Sequence, residues 1–375
     1  MTTSLTDYYS ALQLRTDRWS ALRATCEQLR LATSAKQTRK LQLRAQELLD
    51  SLMPIEAYWA FPGQSVLDKL CLLLEKERYD ELARLTRRSV RSLLAGAYRR
   101  QPQASEIEEP REAEEDGADD SAAPPGERPY FEVLIVDTIG EQQRQHQRQA
   151  LRRMRRPDDR FVYEPVFVPT VEDGLIGVLF NHNVQAVVVR SNITLHSVHE
   201  LPMLKRYLSS VEDEEIEALA PEDYAPELCR LIRKIRPELD VYLVTDQPVE
   251  EIAGRDLGNC RRVFYNQEDY LELHLNILRG INHRYETPFF HALRDYARQP
   301  TGVFHAMPIS RGKSITRSHW IKDMGDFYGM NIFLAETSAT SGGLDSLLEP
   351  HGPIKKAQEL AARAFGAKQT FFSTN

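Results

Sequence analysis

The chain has 375 residues, with 48 Lys and Arg against 55 Asp and Glu, and 42% of its residues are apolar. At about 150 residues per domain, this length predicts two to three domains with sizeable cores. The net charge of −7 excludes a general nucleic-acid binder that needs a basic surface. Apolar runs such as 70–74 and 133–136 fall far short of the ~20 residues of a membrane helix, so no membrane partner is expected. Residues 1–15 lack the basic flank and apolar stretch of a secretory leader. The four cysteines, Cys26, Cys71, Cys229 and Cys260, show no C-x-x-C or finger spacing. They read as reduced, mostly buried thiols of a cytoplasmic protein, with no metal site.

Residues 1–100 predict a helical domain. Trp19, Leu22, Cys26 and Leu29 fall three and four apart on one face. Leu41, Ala45, Leu48 and Leu52 repeat the pattern, then Val66, Leu70, Leu73 and Leu74, then Val90, Leu93 and Leu94. Pro54 and the Pro62-Gly63 pair are expected to break the run. Two basic clusters, Lys36/Arg39/Lys40 and Arg84/Arg87/Arg88/Arg91, lie on the polar faces. They suit either a solvated surface or an acidic partner. Residues 101–129 form a linker. Between Glu106 and Asp120 it carries nine acidic residues and one basic residue, Arg111. Such a segment buries too little apolar area to offset its ordering entropy, and is expected to be a disordered tether.

Residues 130–284 predict an α/β domain. Strands are expected at 131–137, 160–168, 184–190, 241–245 and 262–265, with helical residues following the first strand through Arg155, helices at 171–180 and 271–282, and a charged helical stretch filling 201–236. Alternation of this kind implies a parallel sheet of receiver or flavodoxin type. Asp137 occupies the place of a receiver's first acidic residue. The third strand, however, ends in Arg190-Ser191 rather than a phospho-acceptor Asp, and Asn266 follows the fifth where a lysine is needed. The turn after the first strand has one glycine, Gly140, and no phosphate cradle. A structural or assembly role is therefore expected of this domain.

From Thr287 the pattern changes. Thr287-Pro-Phe-Phe-His opens an amphipathic helix, 314–328 reads as helical, Pro353 starts another helix that Gly366 ends, and a strand is expected to begin at Thr370. Arg311-Gly-Lys-Ser314 lacks the glycine five residues before Gly312 that a phosphate-binding loop needs, since Met307 stands there. His196 and His199 have no third ligand nearby.

The strings TPFFHALRDYA and ETSATSGGLDSLLEPHGPIKKAQELAARAFGAKQTFFSTN resemble the bacterial ornithine/lysine/arginine decarboxylases. These are pyridoxal-phosphate enzymes of the aspartate-aminotransferase fold, in which a receiver-like wing domain and a linker precede the large cofactor domain. The resemblance covers 287–375 closely and the wing in architecture. It implies a wing at 130–284, a linker region at 285–313 and the start of a fold-type I domain at 314–375. It also implies a basic amino-acid substrate, and a homo-oligomer or a partner chain that completes the site. The family's Thr-Pro-Gly-His loop is here His305-Ala-Met-Pro-Ile-Ser-Arg, and its Asp-x-Ser is Glu336-Thr-Ser. His305, Ser310, Arg311 and Glu336 are thereby placed near the substrate, with His305 equally readable as a buried, hydrogen-bonded histidine. Ser373, Thr374 and Asn375 fall where the family begins its phosphate turn. His351 suits cofactor contact or helix capping equally. The family's cofactor-holding lysine and its ring-nitrogen aspartate lie further on, so no catalytic residue is expected within these 375 residues and the chain alone is expected to be inactive. A non-catalytic assembly or regulatory subunit is the alternative. An unfinished domain would leave Phe333, Leu347, Leu348, Phe365, Phe371 and Phe372 uncovered.

Overall fold

The computed structural model describes residues 5–96, 128–157, 159–199, 219–246, 260–265, 270–299, 302, 310–318, 322–336 and 344–373. The expected linker and much of the helical stretch 201–236 lie outside them. The chain divides into two compact units, 1–279 and 280–375.

The first unit begins with four helices, α1 (Leu5–Arg30), α2 (Ala35–Glu56), α3 (Gly63–Glu75) and α4 (Tyr79–Ala95). Their apolar stripes meet in one core: Trp19, Leu22 and Cys26 of α1, Ala45, Leu49 and Leu52 of α2, Leu67 and Leu70 of α3, and Leu82 and Val90 of α4. Pro54 does not end α2, which continues to Glu56. A proline this close to a helix end removes only one intrahelical bond. The break falls at Pro62-Gly63, where Gly63 has φ +69°. Gly96 closes α4 in the left-handed conformation, as a helix-ending glycine does.

Five parallel strands follow, β1 (Tyr130–Val136), β2 (Val162–Val168), β3 (Val184–Arg190), β4 (Asp240–Thr245) and β5 (Arg262–Tyr265), in the order β2-β1-β3-β4-β5. The helices are α5 (Glu141–Arg153), α6 (Val171–Phe180), α7 (Tyr224–Ile235) and α8 (Tyr270–Arg284). The near-continuous apolar strands are those of a sheet covered on both faces. One face packs Leu134, Val136, Val187 and Leu243 against Leu175 of α6 and Leu228 of α7. On the other, the Tyr163 hydroxyl shares a 2.9 Å hydrogen bond with His274 of α8, and Tyr242 donates to the Asn276 carbonyl. Gly177 has no room for more: a Cβ there would sit 3.0 Å from both Leu134 methyls.

Helices and sheet share this unit through residues 57–60. Tyr58 and Trp59 belong to the core beneath the sheet. The Tyr58 hydroxyl donates to Asp173 Oδ1 at 2.7 Å, and Asn181 Nδ2 donates to the Tyr58 carbonyl at 2.6 Å. Glu132, fully buried in β1, accepts from Asn181 Nδ2 (2.7 Å) and the Ala60 N–H (3.1 Å) on one oxygen, and from the Tyr130 hydroxyl on the other. Burial raises the Glu132 carboxyl above its ordinary value, against the pull of Asn181, Ala60, Tyr130 and Arg15. The folded state then holds a proton that the unfolded state releases, so stability falls as pH rises from about 4.5 through the raised value. Glu132→Gln is expected to remove this slope while keeping an acceptor for Asn181 and Ala60. Urea titrations from pH 4 to 8 check it: the variant gains on the wild type as pH rises.

The second unit contains α9 (Pro288–Arg298), three short helices α10 (Lys313–Arg317), α11 (Asp323–Tyr328) and α12 (Met330–Leu334), and α13 (Pro353–Ala364). The expected helix over 314–328 is interrupted, because Ser318 turns extended (ψ 132°). The strand expected from Thr370 is not formed: residues 370–373 are irregular, with no neighbouring strand among the described residues of this unit. A lone extended segment has no ladder to join. After α13, Gly366 takes φ +62°. Its N–H reaches the Arg363 carbonyl, and the Ala367 N–H reaches Ala362, completing a Schellman ending.

Candidate functional site

In the first unit, the crevice outside the carboxyl ends of β1 and β3 is the place where such sheets bind ligands. Here Arg190, at the end of β3, pairs with Asp137 at 3.0 Å. Burial raises the Asp137 carboxyl, opposed by Arg190 and Arg144. The position of a phospho-acceptor is thus taken by the counter-ion of the first acidic residue. His196 is committed to Glu172 at 3.0 Å, and among the described residues no group of metal-ligating side chains converges. Cys229 and Cys260, unrelated by spacing, hydrogen-bond to each other. The contact lowers the Cys260 thiol and raises Cys229.

In the second unit the expected substrate-side residues fall into one turn and one gap. Ser310, Arg311 and Gly312 all take positive φ (46°, 51° and 82°). Only Gly312 does so without steric cost. A Cβ there would meet Met330 Cε at 2.6 Å. The turn is fixed by Arg311, which is 6% exposed. Its Nη2 donates to the carbonyls of Tyr296 (2.8 Å) and Ala297 (3.2 Å), its Nη1 to Gln299 (3.1 Å) and its Nε to Leu334 (3.2 Å). The guanidinium also stacks 4.6 Å from the Tyr296 ring centroid. The cation therefore sits on the carbonyl end of α9, where the helix dipole favours it. Glu336 closes the turn by accepting the Arg311 backbone N–H at 2.6 Å. The structure brings Arg311 and Glu336 together, with Ser310 half-buried beside them, and directs the Arg311 donors to backbone. His305 lies outside the described residues.

The loop before α13 is organised by Asp345. Its carboxylate accepts the N–H groups of Ser346 (2.9 Å), His351 (2.9 Å), Gly352 (2.6 Å), Ile354 (3.1 Å) and Lys355 (3.4 Å). Slight burial works against it, but these donors hold Asp345 below the ordinary carboxylate range. Asp345 thus caps a helix whose own N-cap, Gly352, has no side chain. A Cβ on Gly352 would come within 3.4 Å of that carboxylate. His351 contributes its backbone and not its ring to this arrangement. Asp345 was not singled out from the sequence. The signal was present: a Gly-Pro helix start supplies no side-chain acceptor, so an acceptor must come from upstream. Asp345→Ala is expected to fray the first turn of α13 and cost about 1 kcal/mol. The wild-type capping is lost as pH falls below 3.8 through the depressed value. Amide exchange at 352–355 checks both.

Ser373 is exposed, and Thr374 and Asn375 lie outside the described residues. Leu348 (94% exposed), Phe365 (85%) and Phe371 (77%) stand uncovered in this unit, as expected, whereas Phe333 is buried against the Gly312 turn.

Residues 287–375 match the family described as Orn/Lys/Arg decarboxylase, major domain. This C-terminal quarter of the chain is therefore similar to the major domain of the Orn/Lys/Arg decarboxylases. Lysine decarboxylase LdcA of Pseudomonas aeruginosa is 30% identical over 159 residues, which are 40% of this chain and 21% of that protein. An arginine decarboxylase of Bacillus anthracis is 39% identical over 90 residues, 24% of this chain and 17% of that one. The inducible ornithine decarboxylase of Escherichia coli is 28% identical over 141 residues, 36% and 19% respectively. The chain thus matches about a fifth of the length of these relatives. The crystal structure of Francisella novicida lysine decarboxylase LdcF aligns over 64% of this chain and 30% of that one, with a TM-score of 0.34 and 16% identity. Among the described residues no helix is long and apolar enough to cross a membrane.

Proposed function

We propose that this chain is the N-terminal portion of a pyridoxal-phosphate-dependent decarboxylase of a basic amino acid (arginine, lysine or ornithine) working in the cytoplasm. The observation that carries this reading is the match over 287–375, the stretch in which Arg311 and Glu336 together hold one backbone turn and Asp345 a second. In such an enzyme the cofactor ring accepts the electron pair left when the carboxylate departs. The part of this chain is to build the first turns of the cofactor domain and to carry the α/β unit that precedes it in sequence. The relatives' lengths support a site completed elsewhere, in further sequence, in a second copy or in a partner chain. The 375 residues alone are then inactive.

The test is to incubate the purified chain with pyridoxal phosphate and each of the three amino acids. The expected result is no carbon dioxide, and no mass gain after borohydride reduction. Stoichiometric cofactor attachment with turnover would overturn the incomplete-site reading. The second reading, a non-catalytic assembly or regulatory subunit, draws on the uncovered Leu348, Phe365 and Phe371. It predicts that the chain co-purifies with an active decarboxylase whose cofactor sits wholly on other chains.

A further inference from the structure

Helix α4 carries arginines at 84, 87, 88 and 91, a spacing that stacks them on one exposed face. Like charges at i,i+4 destabilise a helix, so the stripe works against α4 unless acidic groups meet it. Arg87 and Arg91 join Arg23 of α1 in lining an open groove of about 520 Å³, with Leu94 and Ala95 at its apolar end. The groove's one carboxylate, Glu27, is already shared by Arg87 (Nε at 2.7 Å) and Arg30 (3.3 Å); burial pushes it up, and the two arginines together outweigh that and hold it below its ordinary range. Leu94 remains 58% exposed. The groove therefore has excess positive charge and an unfilled apolar end.

The chain leaves α4 at Gly96, directly beside Leu94 and Ala95. Ten residues later it reads Glu106-Ile-Glu-Glu109, the first part of the stretch with nine acidic residues. Ten residues reach up to roughly 33 Å, about twice the ~17 Å from Arg84 to Ala95 along a helix. We propose that this groove is a docking site for the chain's own acidic segment, with Ile107 against Leu94 and Glu106, Glu108 and Glu109 among Arg23, Arg88 and Arg91. The tether favours this occupant over acidic groups on other molecules, because a short linker holds an effective concentration on the order of 1 mM. Against an affinity on the order of 0.1 mM, that gives about tenfold occupancy over release.

The experiment uses the full 375-residue chain and a glutamate-specific protease, reading cleavage after Glu106 and Glu108 by mass spectrometry. A free peptide of residues 103–117 sets the unprotected rate. In low salt the chain is expected to be cut about tenfold more slowly than the peptide. Arg23→Glu/Arg91→Glu is expected to restore the peptide's rate, whereas reversing Lys36, Arg39 and Lys40 leaves protection intact. Raising salt to about 1 M, where screening acts over ~3 Å, tests the wild type without any substitution, so a poorly folded variant does not decide the matter. Cutting at the peptide's rate in low salt overturns the proposal. So does slow cutting indifferent to both salt and the arginines. Protection that rises with protein concentration places the segment on a second copy, and overturns docking within one chain.

Discussion

Glu56→Ala is expected to cost the first unit about 3–5 kcal/mol, enough to unfold it at moderate urea. Glu56 is wholly buried at the end of α2. It accepts Arg15 Nε at 2.6 Å, Arg15 Nη2 at 2.9 Å, the Trp19 indole N–H at 2.7 Å and the Gly63 N–H at 3.1 Å. Arg15 is itself only 5% exposed, donates to the Phe61 carbonyl at 2.7 Å and stacks 4.1 Å over Trp59. Removing the carboxylate leaves a buried cation and two neutral donors unmatched, which is why loss of one partner exceeds the net worth of the pair. The same residues form the corner from which 57–60 enter the sheet core, so the loss should spread to Tyr58 and Trp59. Urea unfolding followed by circular dichroism measures it. Glu56→Gln, which keeps an acceptor for Trp19, should lose less. A midpoint for Glu56→Ala equal to that of the wild type would show that the corner does not bind α1 to α2.

Arg311→Ala is expected to loosen the second unit by about 3 kcal/mol, because four carbonyls, that of Tyr296 buried and the other three part-buried, lose a charged donor together. Amide exchange should rise at the end of α9 and around 334–336. Arg311→Lys is not expected to restore protection, since a single ammonium spans neither the carbonyl set nor the Tyr296 stack. A side chain serving only to bind a substrate carboxylate would give the opposite result. Its removal would leave exchange in the unliganded protein unchanged.

The strands were legible because a sheet covered on both faces demands apolar runs. β3 and β5 occupy the residues expected, and the helix over Val171–Phe180 likewise. The stripes of α1 to α4 were legible for the same reason at helical spacing. What could not be read was long-range. Nothing local announces that Glu56 will be met by Arg15, forty-one positions away, or Tyr58 by Asp173. The sharing of one compact unit by helices and sheet rests on those contacts. Local expectations fail where a context is missing: Pro54 predicts a break although the helix needs only one more half-turn, and Thr370 a strand start although no described strand of its unit adjoins it.

In the candidate site, Arg311 and Glu336 were found by the strings around them and do meet, but their chemistry lay in φ values and carbonyl positions that composition does not encode. Asp345 was missed because its partners are backbone N–H groups, invisible to any search for side-chain pairs. The proposed reaction class rests on the family resemblance, and no spacing of carboxylates or histidines in this chain would have given it.

The most direct test of the account is to isolate the assembly that contains this chain from the cells that make it, supply pyridoxal phosphate, and measure labelled carbon dioxide released from carboxyl-labelled lysine, arginine and ornithine. The account predicts release from one of the three by the assembly, and none from the 375-residue chain by itself. An assembly that releases none from any of them, while retaining this chain intact, would contradict it.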